Sequence, residues 1–551
     1  MLFKNINIRI LSVFLIICMF MPCTITVIHG NAAGTTESAA AANGLAENVQ
    51  DGQILQCWNW SYNNTKNNMA TIAEQGFSAI QTSPIQQCKE STLGYYTDRW
   101  WIYYQPANFT IDNTGHSALG TKQQFIDMCN EAHKYGVKVL VDAILNHTGN
   151  NTGNDIANAV ISDLRNDPDC WHDLTRNTEN WSDRWEVTQL CMGGLPDLNT
   201  SNSKVQSYAL DFLKECIDAG ADGFRFDGAK HIETNNSEEP VSSDFWPNVL
   251  DAATAHAQST RGITPYYYGE ILDKLGGTVP ITAYTQYMSV TENVTSRKIR
   301  QGVSNNNTIL ANTTTMGLGS AKDKAVFWNE SHDTYAHWET TEVSLEDLNK
   351  TWALMSARKD VGVLYFARPS RMNQYIGIAA KTGWSKPEVK AINMFRNTFM
   401  GQSENIARSG NIAYNVRGNS GVVLVNTKGT SAEVNVPAAG MDAGIYRDQI
   451  TGKIFIVSKD TIRGNIGSTG IAVVYNIDGS EIPMIGDVNL DKNVNIKDAT
   501  LLQKHIAKIV TLSDAQIKQA DADGDGKLNI KDVTLIQKYV AKIINGFPNM
   551  G

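Results

Sequence analysis

Residues 121–141, TKQQFIDMCNEAHKYGVKVLV, decide the fold. Phe125, Met128, Cys129 and Ala132 recur at spacings of three and four, so a helix with one apolar face is expected from Thr121 to Tyr135, with Gly136 as its stop. Val137 to Val141 follows at once as a buried strand. The same unit recurs on both sides. Further strands are expected at Ile54–Trp58, Phe77–Ile80, Gly223–Phe226, Pro265–Glu270, Tyr287–Thr291, Ala325–Trp328 and Val361–Phe366, separated by helical patterns. Eight strand-helix units imply an α/β fold, a closed (β/α)8 barrel of the TIM type over residues 53–394.

Around this barrel the rhythm changes. Residues from about 150 to 200 are polar, Asn-rich and Trp-bearing, and read as a short domain inserted after strand 3. Beyond the barrel, runs such as Val422–Val425 and Ile471–Tyr475 predict a C-terminal antiparallel β-sandwich over 395–476. A linker at 477–484 leads to a repeat at 485–545, in which Asn495-Ile496-Lys497-Asp498 returns as Asn529-Ile530-Lys531-Asp532. At the other end, Lys4 and Arg9 precede an apolar run and then Ala32 and Ala33, as in a secretory signal peptide over 1–33. An uncleaved membrane anchor is the alternative reading of that run. Residues 34–52, rich in Ala, Ser, Thr and Asn, are expected to form a flexible leader.

Composition narrows the function. At 551 residues the chain exceeds any single small module, and its formal charge of -9 gives no basic footprint for nucleic acid or anionic lipid. A neutral substrate such as a sugar fits better. Of eight cysteines two fall in the signal segment, and the other six, Cys57, Cys88, Cys129, Cys170, Cys191 and Cys216, form no CxxC pair. Export permits a Cys170–Cys191 disulfide; buried free thiols are the equal alternative.

In a barrel of this kind the carboxyl ends of the strands carry chemistry. Asp227, Glu270 and Asp333 occupy or follow such ends. Converging carboxylates shift one another's pKa, so one can stay protonated as an acid while another stays ionised as a nucleophile, the pair that glycosidic cleavage needs. Arg225 shares a strand face with Asp227 and can hold it ionised. His147 and His332 can donate to sugar hydroxyls, and Trp100, Trp101, Tyr103 and Tyr104 offer stacking faces. Singly, each has a blander reading: a helix cap, a satisfied histidine, a core aromatic.

Four ordered segments reverse that balance. Asp142-Ala143-Ile144-Leu145-Asn146-His147, Gly223-Phe224-Arg225-Phe226-Asp227-Gly228-Ala229-Lys230-His231, Tyr268-Gly269-Glu270 and Glu330-Ser331-His332-Asp333 resemble the signature regions of glycoside hydrolase family 13, the α-amylases. Leu195-Pro196-Asp197-Leu198-Asn199 is similar to the fifth region, and Trp181-Ser182-Asp183-Arg184-Trp185 through Thr188 to the inserted domain of bacterial members. The resemblance implies Asp227 as nucleophile, Glu270 as general acid and base, and Asp333 as the third carboxylate. It places Tyr104, Gln105, His147, Arg225, Lys230 and His332 around the substrate. It also implies a structural Ca²⁺ held by the side chains of Asn146 and Asp197 and the main chain of Thr188 and His231; Asn199 departs from the acid that some members carry there. A zinc reading of His147 and His231 lacks a third ligand at the right spacing.

The repeat has its own chemistry. Asp487, Asn489, Asp491, Asn495 and Asp498 stand at positions 1, 3, 5, 9 and 12 of a calcium loop, with Asn493 at position 7. Asp521, Asp523, Asp525, Asn529 and Asp532 repeat the set, with Lys527 at position 7. Each loop leads into a helix, expected at Ala499–Ile509 and Val533–Ile543. Lys492 stands where the second copy has Gly526, so strain is expected at that turn. Duplicated loops of this form resemble a type I dockerin, which implies two bound Ca²⁺ and docking on the cohesin of a scaffold protein, through Ile496-Lys497 and Ile530-Lys531. The resulting expectation is a secreted, calcium-dependent, retaining α-amylase cutting α-1,4 bonds of starch. The alternatives are a glucanotransferase or α-1,6-cleaving relative with the same site, or a non-catalytic starch-binding component.

Overall fold

The computed structural model describes residues 38–90, 99–272, 275–314, 316–370, 375–458, 460–477, 484–544 and 546–548. The signal-peptide reading of 1–33 lies outside them. Eight parallel strands close into a barrel: β1 (Gln53–Gln56), β2 (Ala79–Gln81), β3 (Lys138–Ala143), β4 (Gly223–Phe226), β5 (Tyr266–Gly269), β6 (Ser289–Thr291), β7 (Ala325–Trp328) and β8 (Gly362–Phe366). Each pairs with its neighbour in chain order, and β8 returns to β1 with Val363 opposite Gln53. The chain is therefore a TIM barrel, as the eight apolar runs imply.

The helix before β3 shows why these elements form. Lys122–Lys134 begins with a capping box, in which the Thr121 side chain accepts from the Gln124 backbone and the Gln124 side chain accepts from the Thr121 backbone. Phe125, Met128, Cys129 and Ala132 are buried on one stripe. Gly136 then turns the chain at φ +76°, and a Cβ there would meet the backbone of Ala40.

That contact exposes one misreading. Instead of a flexible leader, residues from Ser38 fold against the barrel: Ala39–Ala42 forms a helical turn, and Ala40, Leu45, Ala46 and Val49 are buried. The Gln50 side chain accepts from Tyr266 Oη at 2.6 Å and Ser289 Oγ at 2.9 Å, which ties the segment to the strands at their amino ends. Small side chains pack closely without the apolar periodicity that marks a helix in sequence.

After β3 the inserted segment contributes two short paired strands, Asp173–Asn177 and Leu190–Cys191, and the helix Arg184–Gln189. Arg184 anchors it. Its guanidinium binds Glu239 bidentately at 2.8 Å and Tyr284 Oη at 2.8 Å, with both charged side chains out of solvent. All six described cysteines are free and buried, so the Cys170–Cys191 disulfide is not formed. Each acts as a small apolar side chain.

The C-terminal domain is antiparallel, as its apolar runs imply. Strands Glu404–Ser409 (β9), Ile412–Arg417 (β10), Gly421–Asn426 (β11), Ala432–Pro437 (β12), Gly444–Asp448 (β13), Ile454–Val457 (β14), Thr461–Ile466 (β15) and Ile471–Tyr475 (β16) are hydrogen-bonded without a break in the order β9-β10-β11-β16-β13-β14-β15-β12. The strands enclose a core of Tyr414, Leu424, Val434, Phe455 and Val474. Past the linker, helices Ile496–Ile506 and Ile530–Val540 start three residues earlier than expected, capped by Asn495 and Asn529, and share a core of Val488, Ala499, Leu502, Val533 and Ile536.

Candidate active site

The site forms where β3, β4, β5 and β7 end. Arg225, on β4, points into the barrel mouth with little access to solvent, and one guanidinium there meets three carboxylates. Its Nη1 donates to Asp142 Oδ1 at 2.6 Å and Asp227 Oδ1 at 2.7 Å, and its Nη2 pairs with Glu270 Oε2 at 2.8 Å. Asp142 is the penultimate residue of β3 and has no access to solvent. Sequence reading gave it no role, although a strand-end acid beside Arg225 is the signal that singled out the other three.

Gly228 shapes the turn after Asp227. It adopts φ +51°, where a Cβ would be strained, and its N–H donates to Glu270 Oε2 at 3.0 Å. Both donors to Glu270 thus fall on one oxygen. Burial raises the Glu270 carboxyl above its ordinary value; Arg225 opposes this, and the Asp227 charge adds to it. Burial likewise pushes Asp142 up to about 7 against the pull of Arg225.

The remaining residues form the walls. Tyr104 donates to Asp142 Oδ2 at 3.0 Å and stacks on His332 with ring centroids 5.0 Å apart. Gln56 Nε2 donates to His332 Nδ1 at 3.1 Å, and burial holds that imidazole down to about 3, so it is neutral with its proton on Nε2, which lies 3.6 Å from Asp333 Oδ1. His147 Nε2 donates to Tyr104 O at 3.1 Å, while its Nδ1 and Gln105 Oε1 are buried without partners among the described residues. Lys230 Nζ lies 4.9 Å from the ring of Trp181. Asp333 sits in the first turn of the helix His332–Ala336 rather than on β7, and its side chain is 39% exposed.

Two cavities of about 290 and 310 Å³ meet over this constellation, sharing Glu270, Leu272, His332, Asp333 and His337 as lining. Trp100, Trp101, Tyr104, Gln105, His147, Asp227 and Lys230 line one; Arg225, Thr291, Asn293 and Arg297 line the other. All nine residues expected at the reaction and its subsites thus border one cleft, in which a carboxyl with a raised pKa stands beside an ion-paired carboxylate.

Residues 66–274 match the family described as "Alpha amylase, catalytic domain". The chain carries an α-amylase catalytic domain. Residues 485–541 match "Dockerin type I domain", so a dockerin closes the described chain. An alpha-amylase of Clostridium acetobutylicum is 34% identical over 437 residues, 78% of this chain and 55% of the relative. One from Butyrivibrio fibrisolvens is 33% identical over 488 residues, 80% of this chain and 49% of the relative. The chain spans about half the length of these relatives. In architecture, the wild-type alpha-amylase I of Eisenia fetida superposes with a TM-score of 0.62 at 20% identity, covering 79% of this chain and 98% of that one.

Of the expected calcium ligands of the α-amylase domain, Asn146 and Asp197 meet. Asn146 Nδ2 donates to Asp197 Oδ1 at 2.7 Å, while Asn146 Oδ1 is buried with no donor. The other Asp197 oxygen meets His172 Nδ1 at 2.7 Å. Thr188 O accepts from Gln189 Nε2 at 3.0 Å, and the His231 ring is held by Val187 O at 2.7 Å. Glu233, which sequence reading missed, is fully buried against His172, Gln189 and Thr200. An orphaned carbonyl oxygen beside buried carboxylates suits a hard divalent ion. In the dockerin, Asp521, Asp523 and Asp525 turn carboxylate oxygens to within 4.8 Å of one another. Asp521 accepts from the backbones of Gly524 and Gly526, as Asp487 does from Asp491 and Lys492. Asp498 and Asp532, at position 12, reach back to the backbones of Asn495 and Asn529. Lys492 takes φ +61°, against +77° at Gly526, so the first loop carries the strain of a side chain in the left-handed region.

Proposed function

We propose that this chain is a secreted α-amylase that hydrolyses internal α-1,4 bonds of starch with retention of configuration, and that its dockerin fixes it to a cohesin-bearing scaffold. The observation that carries the reading is Arg225 holding Asp227 and Glu270 on the two ends of one guanidinium fork. Such proximity suits double displacement, in which the carboxyls stand about 5–5.5 Å apart with no water between. Asp227, ion-paired, attacks the anomeric carbon. Glu270, protonated by virtue of its burial, gives its proton to the leaving glycosidic oxygen and then takes one from the water that frees the glycosyl-enzyme. Asp333, with neutral His332 beside it, hydrogen-bonds the ring hydroxyls of the distorted sugar. Tyr104 closes the site beneath that ring, and His147, Gln105 and Lys230 bind neighbouring hydroxyls.

Calcium, when bound at Asn146, Asp197, Thr188 and His231, supplies rigidity where the insert meets the barrel. In the dockerin, Asp487, Asn489, Asp491, Asn493, Asn495 and Asp498 would hold one Ca²⁺ in the first loop and Asp521, Asp523, Asp525, Lys527, Asn529 and Asp532 a second. Ile496 and Ile530 are 56% and 61% exposed, and Lys497 and Lys531 are exposed beside them, which presents two matching faces to a cohesin.

A time course on soluble starch tests the catalytic part: the expected product is a falling series of maltooligosaccharides. Release only of long linear chains from branched glucan would favour an α-1,6-cleaving relative, and larger or cyclic products a glucanotransferase. For docking, EDTA is expected to weaken binding of the full chain to a type I cohesin by about 10³-fold or more, since the loops order around the ion. Unchanged binding in chelator would refute the docking reading.

A further inference from the structure

Trp338 is 68% exposed and adopts φ +67°, a region that bulky residues rarely enter. It follows the helix His332–Ala336 and stands between His337 and Glu339, both of which line the cleft. The loop beneath it is clamped. Thr340 N–H donates to Thr334 O at 3.0 Å, Thr341 Oγ1 to Tyr335 O at 2.8 Å, and Arg368, paired with buried Glu330 at 2.6 Å, donates to Thr340 O at 3.0 Å. Glu339 is tied to Arg300 at 2.9 Å.

A side chain so exposed adds little packing, and glycine would remove the strain, so folding gives no reason for tryptophan here. Strained conformations that a rigid surround enforces belong characteristically to ligand clamps. The ligand is constrained by place: the cleft runs past His337, and it is lined as well by Trp100, 6.2 Å from the His337 ring, and by Trp101, 45% exposed. Glucose rings of an α-1,4-glucan present C–H faces that pack on indole. The geometry points to Trp338 as a stacking platform for a glucose ring outside the unit enclosed by the carboxylates, which sets a preference for longer chains; this rests on the amylase reading.

The test compares wild type, Trp338→Ala, Trp338→Phe and Trp338→Gly on maltoheptaose and maltotriose. Trp338→Ala is expected to lose about 10-fold in kcat/KM on maltoheptaose, through KM, and under about 2-fold on maltotriose. Trp338→Phe should keep most of the preference, because a ring remains. Trp338→Gly should lose it while melting a few degrees higher than Trp338→Ala, because the left-handed turn is relaxed. An unchanged maltoheptaose-to-maltotriose ratio in Trp338→Ala, with wild type active on both, overturns the platform and leaves the amylase reading standing. Wild type inactive on every α-1,4-glucan overturns both.

Discussion

Glu270→Gln and Asp227→Asn are each expected to lower kcat on soluble starch by about 10⁴-fold or more. Glutamine keeps the shape of Glu270 but cannot give a proton to the leaving oxygen, and asparagine at 227 cannot form the ester. Stability should move the other way for Glu270→Gln. Three carboxylates, Asp142, Asp227 and Glu270, crowd one guanidinium, so above the pH at which Glu270 ionises an amide in its place relieves repulsion and the variant should melt at or above the wild-type temperature. The pH dependence follows from the direction of the Glu270 shift. A general acid works protonated, and burial raises this one, so Glu270 sets an alkaline limb on which kcat falls as pH climbs through a value above the ordinary carboxylate range. That alkaline limb should vanish from the residual rate of Glu270→Gln. A limb that persists there belongs to another group.

Arg225→Met is expected to cost about 3–5 kcal/mol of stability and at least about 10²-fold in kcat. The stability loss comes from Asp142, which has no access to solvent and whose Oδ1 accepts from Arg225 Nη1. Unpaired, it must take up a proton or stay charged in a dry site. The rate falls because Asp227 loses the donor that aims it. Arg225→Lys should not rescue it, since a single ammonium cannot bridge carboxylates on both sides of a planar fork. Adding Asp142→Asn to Arg225→Met should recover much of the melting temperature and little of the rate, a non-additivity that separates the structural from the chemical debt of one residue. Equal recovery of both would mean that Arg225 acts only as scaffold.

These residues differ in how legible they were. The barrel is written plainly, because each strand is a short apolar run between turn residues and Ala325–Trp328 and Gly223–Phe226 begin and end where that pattern does. The strand ending in Thr291 was harder: Tyr287 and Met288 extend the apolar run, yet β6 is only Ser289–Thr291. Asp227, Glu270 and Asp333 stand out because acids at strand ends have few structural uses. Asp142 has the same position and was passed over because its neighbours in sequence, Val141 and Ala143, read as core. Glu233 and His172 lie 61 residues apart and meet only in three dimensions, 3.5 Å from each other. The packed segment from Ser38 is illegible for a different reason, since Ala40 packs on Gly136 and Gln50 is tied to Tyr266 and Ser289 by hydrogen bonds, contacts that apolar periodicity does not mark. A lone Trp338 carries no pattern at all; only its φ and exposure reveal it.

The most direct measurement is the anomeric configuration of the reducing ends that the full chain releases from amylose, read by proton NMR in the first minutes, before mutarotation. Two displacements at one carbon, the first by Asp227, must return the α-anomer. The β-anomer would mean that water attacks directly, and that Asp227 and Glu270 do not form the covalent pair proposed for them.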